Sequence, residues 1–154
     1  MKSLNPGRLA TISSDPFALA RGLRTPVWVY DTDCCRIAYA NEAACKIWSA
    51  EDEASLKSRD LSQGMSTTVA KRLKQYQSDF IERNAEFCEF WTLYPNGTPI
   101  TVNVVYTGFI MPDGRMAMMC EVTGEAKETP ETLRSTEALL HTDVLIALYT
   151  IEGR

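Results

Sequence analysis

Residues 86–122, EFCEFWTLYPNGTPITVNVVYTGFIMPDGRMAMMCEV, decide the fold of this chain of 154 residues. Three segments of this stretch are rich in β-branched and aromatic residues, as strands are, and they cover 86–94, 100–110 and 116–122. The first gap contains Asn96-Gly97 and the second contains Asp113-Gly114, and such dipeptides supply the positive φ angles of tight hairpin turns. The stretch therefore predicts three consecutive antiparallel strands.

The middle segment predicts two different faces for this sheet. Successive strand residues point to opposite faces, and along 100–110 apolar residues alternate with a mixed set. Because the mixed face also carries large apolar groups, we expect another part of the protein to cover some of it. The apolar face carries Ile100, Val102, Val104, Tyr106 and Ile110, and the mixed face carries Thr101, Asn103, Val105, Thr107 and Phe109.

A long helix is predicted over 66–84, immediately before these strands. Val69, Leu73, Tyr76 and Phe80 recur at spacings of four, three and four residues, with charged residues elsewhere on the helical wheel. This periodicity predicts that one face of the helix packs and the other faces solvent.

A hairpin and a capped helix are predicted earlier in the chain. Two segments with strand composition, 25–31 and 36–40, flank a turn-like stretch. Asn41 follows directly, and its side-chain amide is typical of the N-terminal cap of a helix, here over 41–48. We interpret Asn41 as a structural cap and not as a site residue, and we expect short helical turns within 49–62.

The first 23 residues predict a polar lead-in and a short helix. Pro16 follows a capping residue and suits the first helical position, and Gly22 is a typical end. Residues 1–23 are therefore separated from a central domain over 24–124.

The last thirty residues predict a connector helix and one further strand. Thr129-Pro130 is a helix-start signal within a connector over 125–143, and 144–149 has strand composition. Residues 144–154 resemble the first strand of the central domain, and we interpret them as the start of a second, truncated unit. The terminal Ile-Glu-Gly-Arg is also a familiar protease tag, so both origins stay open.

The order of these elements resembles the PAS family of sensor domains: strand, strand, helices, strand, strand, strand. The resemblance covers about residues 24 to 124 and rests on the ordered set, since no single piece is specific. It is carried by VWVYD at 27–31, AYANEAA at 38–44, the helix at 66–84, WTLYPNG at 91–97 and DGR at 113–115.

The resemblance implies an α+β domain with a PAS-like five-stranded antiparallel sheet, helices packed on one face, and flanking N-terminal and C-terminal helices. It further implies an interior cavity for a small ligand, a homodimer, and an output domain in the same polypeptide. Such outputs include a diguanylate cyclase or phosphodiesterase and a sensor histidine kinase.

Ten residues are candidates for lining that cavity, because they fall on the predicted helices and the concave sheet face. For most of them plain core packing is the competing interpretation. Asn103 is the most informative, because a mid-strand amide either faces water or satisfies its hydrogen bonds inside, where it would hold a ligand. The candidates are Cys45, Trp48, Leu73, Tyr76, Trp91, Asn103, Val104, Tyr106, Met118 and Cys120.

Composition excludes several classes of protein. The formal net charge is −4 and the basic residues are dispersed, so we expect no nucleic-acid partner. The longest apolar run, 144–149, is far shorter than the roughly 20 residues of a membrane helix, and the first residues lack a signal peptide. We therefore expect a cytoplasmic protein without a direct membrane span.

Cofactor and metal chemistry find little support in the sequence. Five cysteines without metal-ligand spacing predict reduced thiols, mostly in the core, and no metal site. The only histidine, His141, lies beyond the central domain, which argues against a histidine-ligated haem; Cys45 or Met65 would be atypical ligands. Residues 61–66 lack the cysteine of photoactive flavin domains of the family. We expect neither group, and the identity of any cofactor stays open.

Two functions follow from these expectations. The first is a sensory or relay domain that binds a small ligand or transmits a signal through dimerisation. The second is a ligand-free dimerisation module, whose contact would use the helix at 16–23, Phe109, Ile110 and three leucines of the connector. With no phosphate loop, nucleophile motif or histidine base in the central domain, we do not expect this chain to be an enzyme.

Overall fold

Antiparallel pairing joins all five strands between residues 15 and 125, the part of the chain that the computed structural model describes. The strands lie in the order β2-β1-β5-β4-β3, so the first and last strands are neighbours at the centre. In chain order the elements are α1 (Ala18–Arg21), β1 (Val27–Asp31), β2 (Arg36–Ala40), α2 (Glu42–Ile47), α3 (Glu53–Ser58), α4 (Thr67–Arg83), β3 (Glu86–Leu93), β4 (Ile100–Ile110) and β5 (Met116–Glu125). This is the predicted sheet architecture; the lead-in at 1–14, the connector helix, His141 and the proposed second unit lie outside the described residues.

The predicted turns between β3, β4 and β5 have the expected backbone conformation. Gly97 and Gly114 have φ angles of 79° and 84°, which only glycine adopts readily. β4 has the predicted bounds, and β5 extends to Glu125, three residues further than its strand composition predicted.

The main core lies between the inner face of the sheet and the helices α2, α3 and α4. Trp28, Leu56, Tyr106 and Met118 are each at most 1% exposed. On α4, Tyr76 and Phe80 are the buried apolar residues that face the sheet. Every layer of the fold therefore contributes to one continuous apolar cluster.

Two residues predicted to be on packed faces are exposed instead. Val69 is 48% exposed because it lies in the first turn of α4, before the part of the helix that reaches the sheet. Ile110 is 67% exposed because it is the last residue of β4. Both lie at the end of their element, where the periodic pattern continues but the packing partner does not.

A second, smaller cluster covers part of the outer face, as the apolar groups on the mixed face predicted. The Phe17 ring stacks on Tyr39 with centroids 4.2 Å apart and planes within 4°, and it lies 5.3 Å from Phe109. Phe17 is the N-cap residue of α1, so the helix starts at Ala18 and not at Pro16. The N-terminal segment thereby covers the outer face beside β1 and β2.

Asn41 ties four parts of the fold together. Its Oδ1 accepts the backbone N–H of Ala44 at 2.9 Å, which caps α2 as predicted, and the N–H of Val27 at 3.1 Å. Its Nδ2 donates to the carbonyls of Ala20 at 3.2 Å and Thr25 at 2.9 Å. Asn41 is only 2% exposed, so these groups have little access to water as an alternative partner.

We predict that Asn41→Ala lowers the free energy of unfolding by about 2 to 3 kcal/mol, because it removes a helix cap and leaves several buried backbone groups unpaired. Ser66→Ala is the matched control, since Ser66 caps α4 through a single bond to the Val69 N–H at 3.2 Å. We expect that control to cost about 1 kcal/mol. Urea unfolding measures both, and equal losses would show that Asn41 is only a cap.

Gly108 allows α4 to approach β4 closely. A Cβ atom at this position would lie 2.7 Å from the Phe80 Cβ and 2.8 Å from the Met116 Sδ. These distances are shorter than van der Waals contact, so the pattern of large residues along β4 is interrupted here for a steric reason.

We predict that Gly108→Ala destabilises the domain by about 1 to 3 kcal/mol, because the added methyl overpacks the contact between α4 and the sheet. Gly124→Ala is the control, since a Cβ there would meet no atom within 4 Å. Thermal and urea unfolding of both variants test this, and a Gly108→Ala protein as stable as the control would contradict it.

Candidate functional site

Nine of the ten candidate residues lie in or against the main core cluster. Six of them are buried in it: Cys45, Tyr76, Val104, Tyr106, Met118 and Cys120. The other three are partly buried and pack against it: Trp48, Leu73 and Trp91. The sequence thus identifies residues that share one interior, although the cavity itself stays a prediction.

Asn103 lies on the opposite face of the sheet and does not belong to this interior. Its Nδ2 donates to the Thr123 hydroxyl at 3.1 Å, and the exposed Cys88 thiol donates to its Oδ1 at 3.4 Å. The reason is strand parity, because neighbours of the inward-facing Val102 and Val104 must point outward. Of the two alternatives that the sequence left open for Asn103, the outer face is correct.

Aromatic rings surround Tyr106 on the inner face. Its ring centroid lies 4.9 Å from that of Trp91, 5.0 Å from Tyr76 and 5.3 Å from Phe87. These separations are within the range of favourable offset and edge contacts. The arrangement packs aromatic rings, inclined to one another, between α4, β3 and β4.

Glu89 is a partly buried residue at the edge of this interior, and the sequence analysis did not include it. Its side chain is 16% exposed, and its two carboxylate oxygens lie 3.0 Å and 2.9 Å from the Tyr76 hydroxyl. The Nη2 atom of Arg72 donates to it at 2.8 Å, and the Arg72 Nε donates to the Tyr76 hydroxyl. Alternation along β3 could have found it, because Glu89 shares the parity of Phe87 and Trp91.

Three buried polar atoms beneath the helices have no partner with good hydrogen-bond geometry within residues 15–125, although the Tyr106 hydroxyl lies near Tyr76 and Glu89 and the Tyr30 hydroxyl lies near Cys35. They are the hydroxyls of Tyr30 and Tyr106 and the indole Nε1 of Trp48. Burial raises the pKa of both tyrosines, because the phenolate form would lose its hydration. All three residues belong to or pack against the main core cluster.

Two pockets on the described residues open at the surface and are separate from the aromatic cluster. One, of about 510 Å³, follows the outward side of α4 beside Lys71 and Lys74. The other, of about 340 Å³, lies among α1, α2 and α3, and Cys45 is its only lining residue from the candidate set. Its walls also carry Asn41 and several carboxylates, so it is chemically unlike the predicted cavity.

The cysteines divide into exposed and buried thiols. All five are free; Cys34 and Cys88 are exposed, Cys35 is partly buried, and Cys45 and Cys120 are buried. Burial raises the pKa of the Cys45 and Cys120 thiols, which keeps them protonated. Within the described residues there is no group of three side chains that could ligate a metal ion.

Across residues 15–125, no helix has the length and apolar character needed to cross a membrane.

Comparison with solved structures identifies the fold as that of PAS domains. The PAS domain of nitrogen regulation protein NR(II) from Vibrio parahaemolyticus superposes with a TM-score of 0.53 at 17% identity, over 73% of this chain and 99% of that domain. The VqmA dimer of Vibrio cholerae, solved in the absence of target DNA, gives 0.52 at 15% identity, over 75% of this chain and 52% of VqmA. VqmA bound to DPO gives 0.50 at 17% identity, over 73% and 57% of the two chains.

No protein-family model matches the sequence, and no curated protein does. At these identities the solved structures establish the fold alone.

The buried tyrosines predict an alkaline limit to stability. Burial raises the pKa values of Tyr30, Tyr39, Tyr76 and Tyr106 above the ordinary 10.0. Between the unfolded and the folded pKa, the unfolded chain binds fewer protons, so the free energy of unfolding is at its full value below pH 10 and falls as pH rises above it. Urea unfolding at a series of pH values, with tyrosinate absorbance, measures this.

Tyr106→Phe tests the origin of that limit, because it removes one ionisable hydroxyl from the core. We expect its stability to fall less steeply above pH 10 than that of the unmodified chain. Tyr94→Phe is the control at a tyrosine that is 52% exposed. If both variants lose stability as steeply as the unmodified chain, Tyr106 does not contribute to the limit.

Proposed function

We propose that this chain, which has the fold of PAS domains, is a sensory input domain that binds a small molecule against the inner face of its sheet. The observation that carries the proposal is the set of buried polar atoms that lack a partner with good hydrogen-bond geometry: the Tyr30 and Tyr106 hydroxyls and the Trp48 indole N–H. They lie in the interior in which the sequence also placed its ligand candidates.

The energetic argument starts from the cost of burying an unpaired polar group. Leaving such a group unpaired costs about 1 to 3 kcal/mol, and each buried unpaired group in a native structure calls for a physical explanation. The indole N–H can only donate, and a tyrosine hydroxyl can donate or accept. A molecule with hydrogen-bond acceptors would therefore satisfy these atoms, and its rings would pack against Trp91 and Tyr106.

The solved structures support this proposal through one complex. VqmA has been solved bound to DPO, and this chain superposes on about half of VqmA. By analogy we propose that this chain also binds a small molecule, and we use DPO as the first compound to test. We expect the ligand to be neither a histidine-ligated haem nor a photoactive flavin, for the reasons that the sequence provides.

On this proposal the domain has no catalytic role of its own. It passes the signal, as a cytoplasmic homodimer, to an output domain of the same polypeptide. We keep a diguanylate cyclase or phosphodiesterase and a sensor histidine kinase as the output classes that the family resemblance implies.

A ligand-free dimerisation module is the second candidate function, and exposed apolar groups on the outer face favour it. Phe90 is 43% exposed and Met119 is 37% exposed on the part of the outer face that Phe17 does not cover. Leu19 of α1 is 91% exposed. A second copy of the chain would bury these groups, whereas Phe109 already packs on Phe17 and is less available for that contact.

Native mass spectrometry of the freshly purified chain separates the two functions, because it reports bound mass and oligomeric state together. For a sensor we expect a bound small molecule, or binding of added DPO that raises the melting temperature. The second function would be favoured by a dimer that carries no bound mass and whose melting temperature does not rise when DPO is added.

Two matched variants test whether the inner face is the binding site. Tyr106→Phe removes an unpaired inner hydroxyl, so we expect it to leave the ligand-free stability unchanged or higher and to reduce the ligand-induced rise in melting temperature. Tyr39→Phe makes the same change at an unpaired, buried hydroxyl beneath Phe17 on the outer face. Equal loss of the ligand effect in both variants would contradict an inner-face site.

A further inference from the structure

Two adjacent cysteines occupy the turn between β1 and β2. Cys34 is exposed and Cys35 is partly buried, and neither is in a disulfide. Cys35 has a φ angle of 53°, in the left-handed region. The pair therefore lies on a tight turn, with one thiol accessible to solvent and the second thiol carried by the next residue in the chain.

The exposed thiol faces a guanidinium group. The Nη1 atom of Arg115 lies 3.7 Å from the Cys34 Sγ and donates to it. The same guanidinium also binds Asp31 at 2.9 Å and Asp113 at 2.9 Å, and Asp33 lies 3.7 Å away. Three carboxylates share this cation, so what distinguishes Cys34 is its exposure to solvent and the second cysteine next to it in the chain.

The partly buried thiol, that of Cys35, lies in the same segment as two buried hydroxyl groups that lack a hydrogen bond of good geometry. The Cys35 Sγ lies 3.9 Å from the Thr32 carbonyl, and the side chain packs against the main core. These hydroxyls are those of Tyr30 and Thr32, and neither has a partner with good hydrogen-bond geometry within the described part of the chain. These residues are 7% and 4% exposed, so water does not readily pair with them.

The turn is also a junction of the fold. The Asp31 Oδ1 accepts the N–H groups of Asp33 at 3.0 Å and Cys34 at 3.1 Å. Asp33 binds Lys74 of α4 at 2.6 Å, and Arg115 connects Asp31 to the start of β5. A chemical change at Cys34 or Cys35 therefore acts on the contacts that hold the hairpin to α4 and β5.

We propose that Cys34 and Cys35 form a modification site that a hydroperoxide oxidises reversibly to a disulfide between adjacent residues. The Cys34 thiolate attacks the terminal peroxide oxygen, the O–O bond breaks, and an alcohol or water leaves as Cys34 becomes a sulfenic acid. The Cys35 thiol then attacks that sulfur, the S–S bond forms, the S–O bond breaks, and the oxygen leaves as water. Two thiols lose two electrons and two protons, and the peroxide accepts them.

The geometry of adjacent cysteines makes this product reversible and structurally disruptive. Consecutive Cα atoms lie about 3.8 Å apart, whereas disulfides usually span roughly 4.4 to 6.8 Å, so the closed ring is strained. Strained disulfides are easily reduced. Closing the ring also moves the Cys34 backbone N–H and Sγ, and it therefore loosens their bonds to Asp31 and Arg115.

The test treats the full chain carrying Cys88→Ser with hydrogen peroxide, because Cys88 is the other exposed cysteine in the described residues. Intact mass, peptide mapping and thermal unfolding are measured before and after dithiothreitol. We expect loss of two hydrogen masses, a peptide in which Cys34 and Cys35 are linked, and a melting temperature a few degrees lower, all reversed by the reductant. Adding Cys34→Ser or Cys35→Ser to the Cys88→Ser chain should abolish the peptide in which Cys34 and Cys35 are linked. Circular dichroism verifies that each variant is folded.

Three results would overturn the proposal: no reaction at this pair, oxidation of Cys34 that leaves Cys35 free, or a disulfide that joins two chains. Each is visible as a distinct mass. Mass and peptide mapping detect the disulfide without any added ligand, so failure of this proposal and failure of the proposed ligand function are distinguishable even though the Tyr30 hydroxyl lies near both sites.

Discussion

The fold depends on the hydrogen bonds that several backbone groups make with one buried side-chain amide, that of Asn41. Its side-chain oxygen accepts from the first turn of α2 and from the first residue of β1, and its amino group donates to Ala20 in α1 and to Thr25 in the segment that follows α1. No single substitution supplies both two acceptor directions and two donor directions in so little space. These bonds join α1, which follows Phe17, to the start of β1, which pairs with both β2 and β5.

Local patterns in the sequence predict most of the architecture because strand alternation, turn glycines and helix caps are determined by near neighbours. The positive φ angle of Gly97 and the cap at Asn41 are of this kind. The stacking of Phe17 on Tyr39 joins distant parts of the chain, so no local pattern contains it. Strand alternation puts Asn103 on the mixed face, which is where the structure has it, and the same alternation along β3 puts Glu89 on the side of Phe87 and Trp91.

The interior combines a well-packed aromatic cluster with polar groups that it does not fully satisfy. Arg72 and Glu89 neutralise each other at its edge, so the cluster carries no net charge there. The buried hydroxyls and the indole N–H are the part of this core that hydrophobic packing alone does not explain. Whether a cavity opens there depends on how side chains rearrange around a ligand, and sequence periodicity contains no information on that.

The neighbouring positions of β1 and β5 have a mechanical consequence. Val27 at the start of β1 pairs with Glu121, and the carbonyl of Pro26 accepts the N–H of Val122 at 3.0 Å. The chain thus enters and leaves this antiparallel pair at the same end. A force that separates the two flanks would open the pair one hydrogen bond at a time, as a zipper opens, and would not shear all the bonds at once. The β1–β5 pair therefore separates under a small force, and a movement of one flanking segment displaces the other directly.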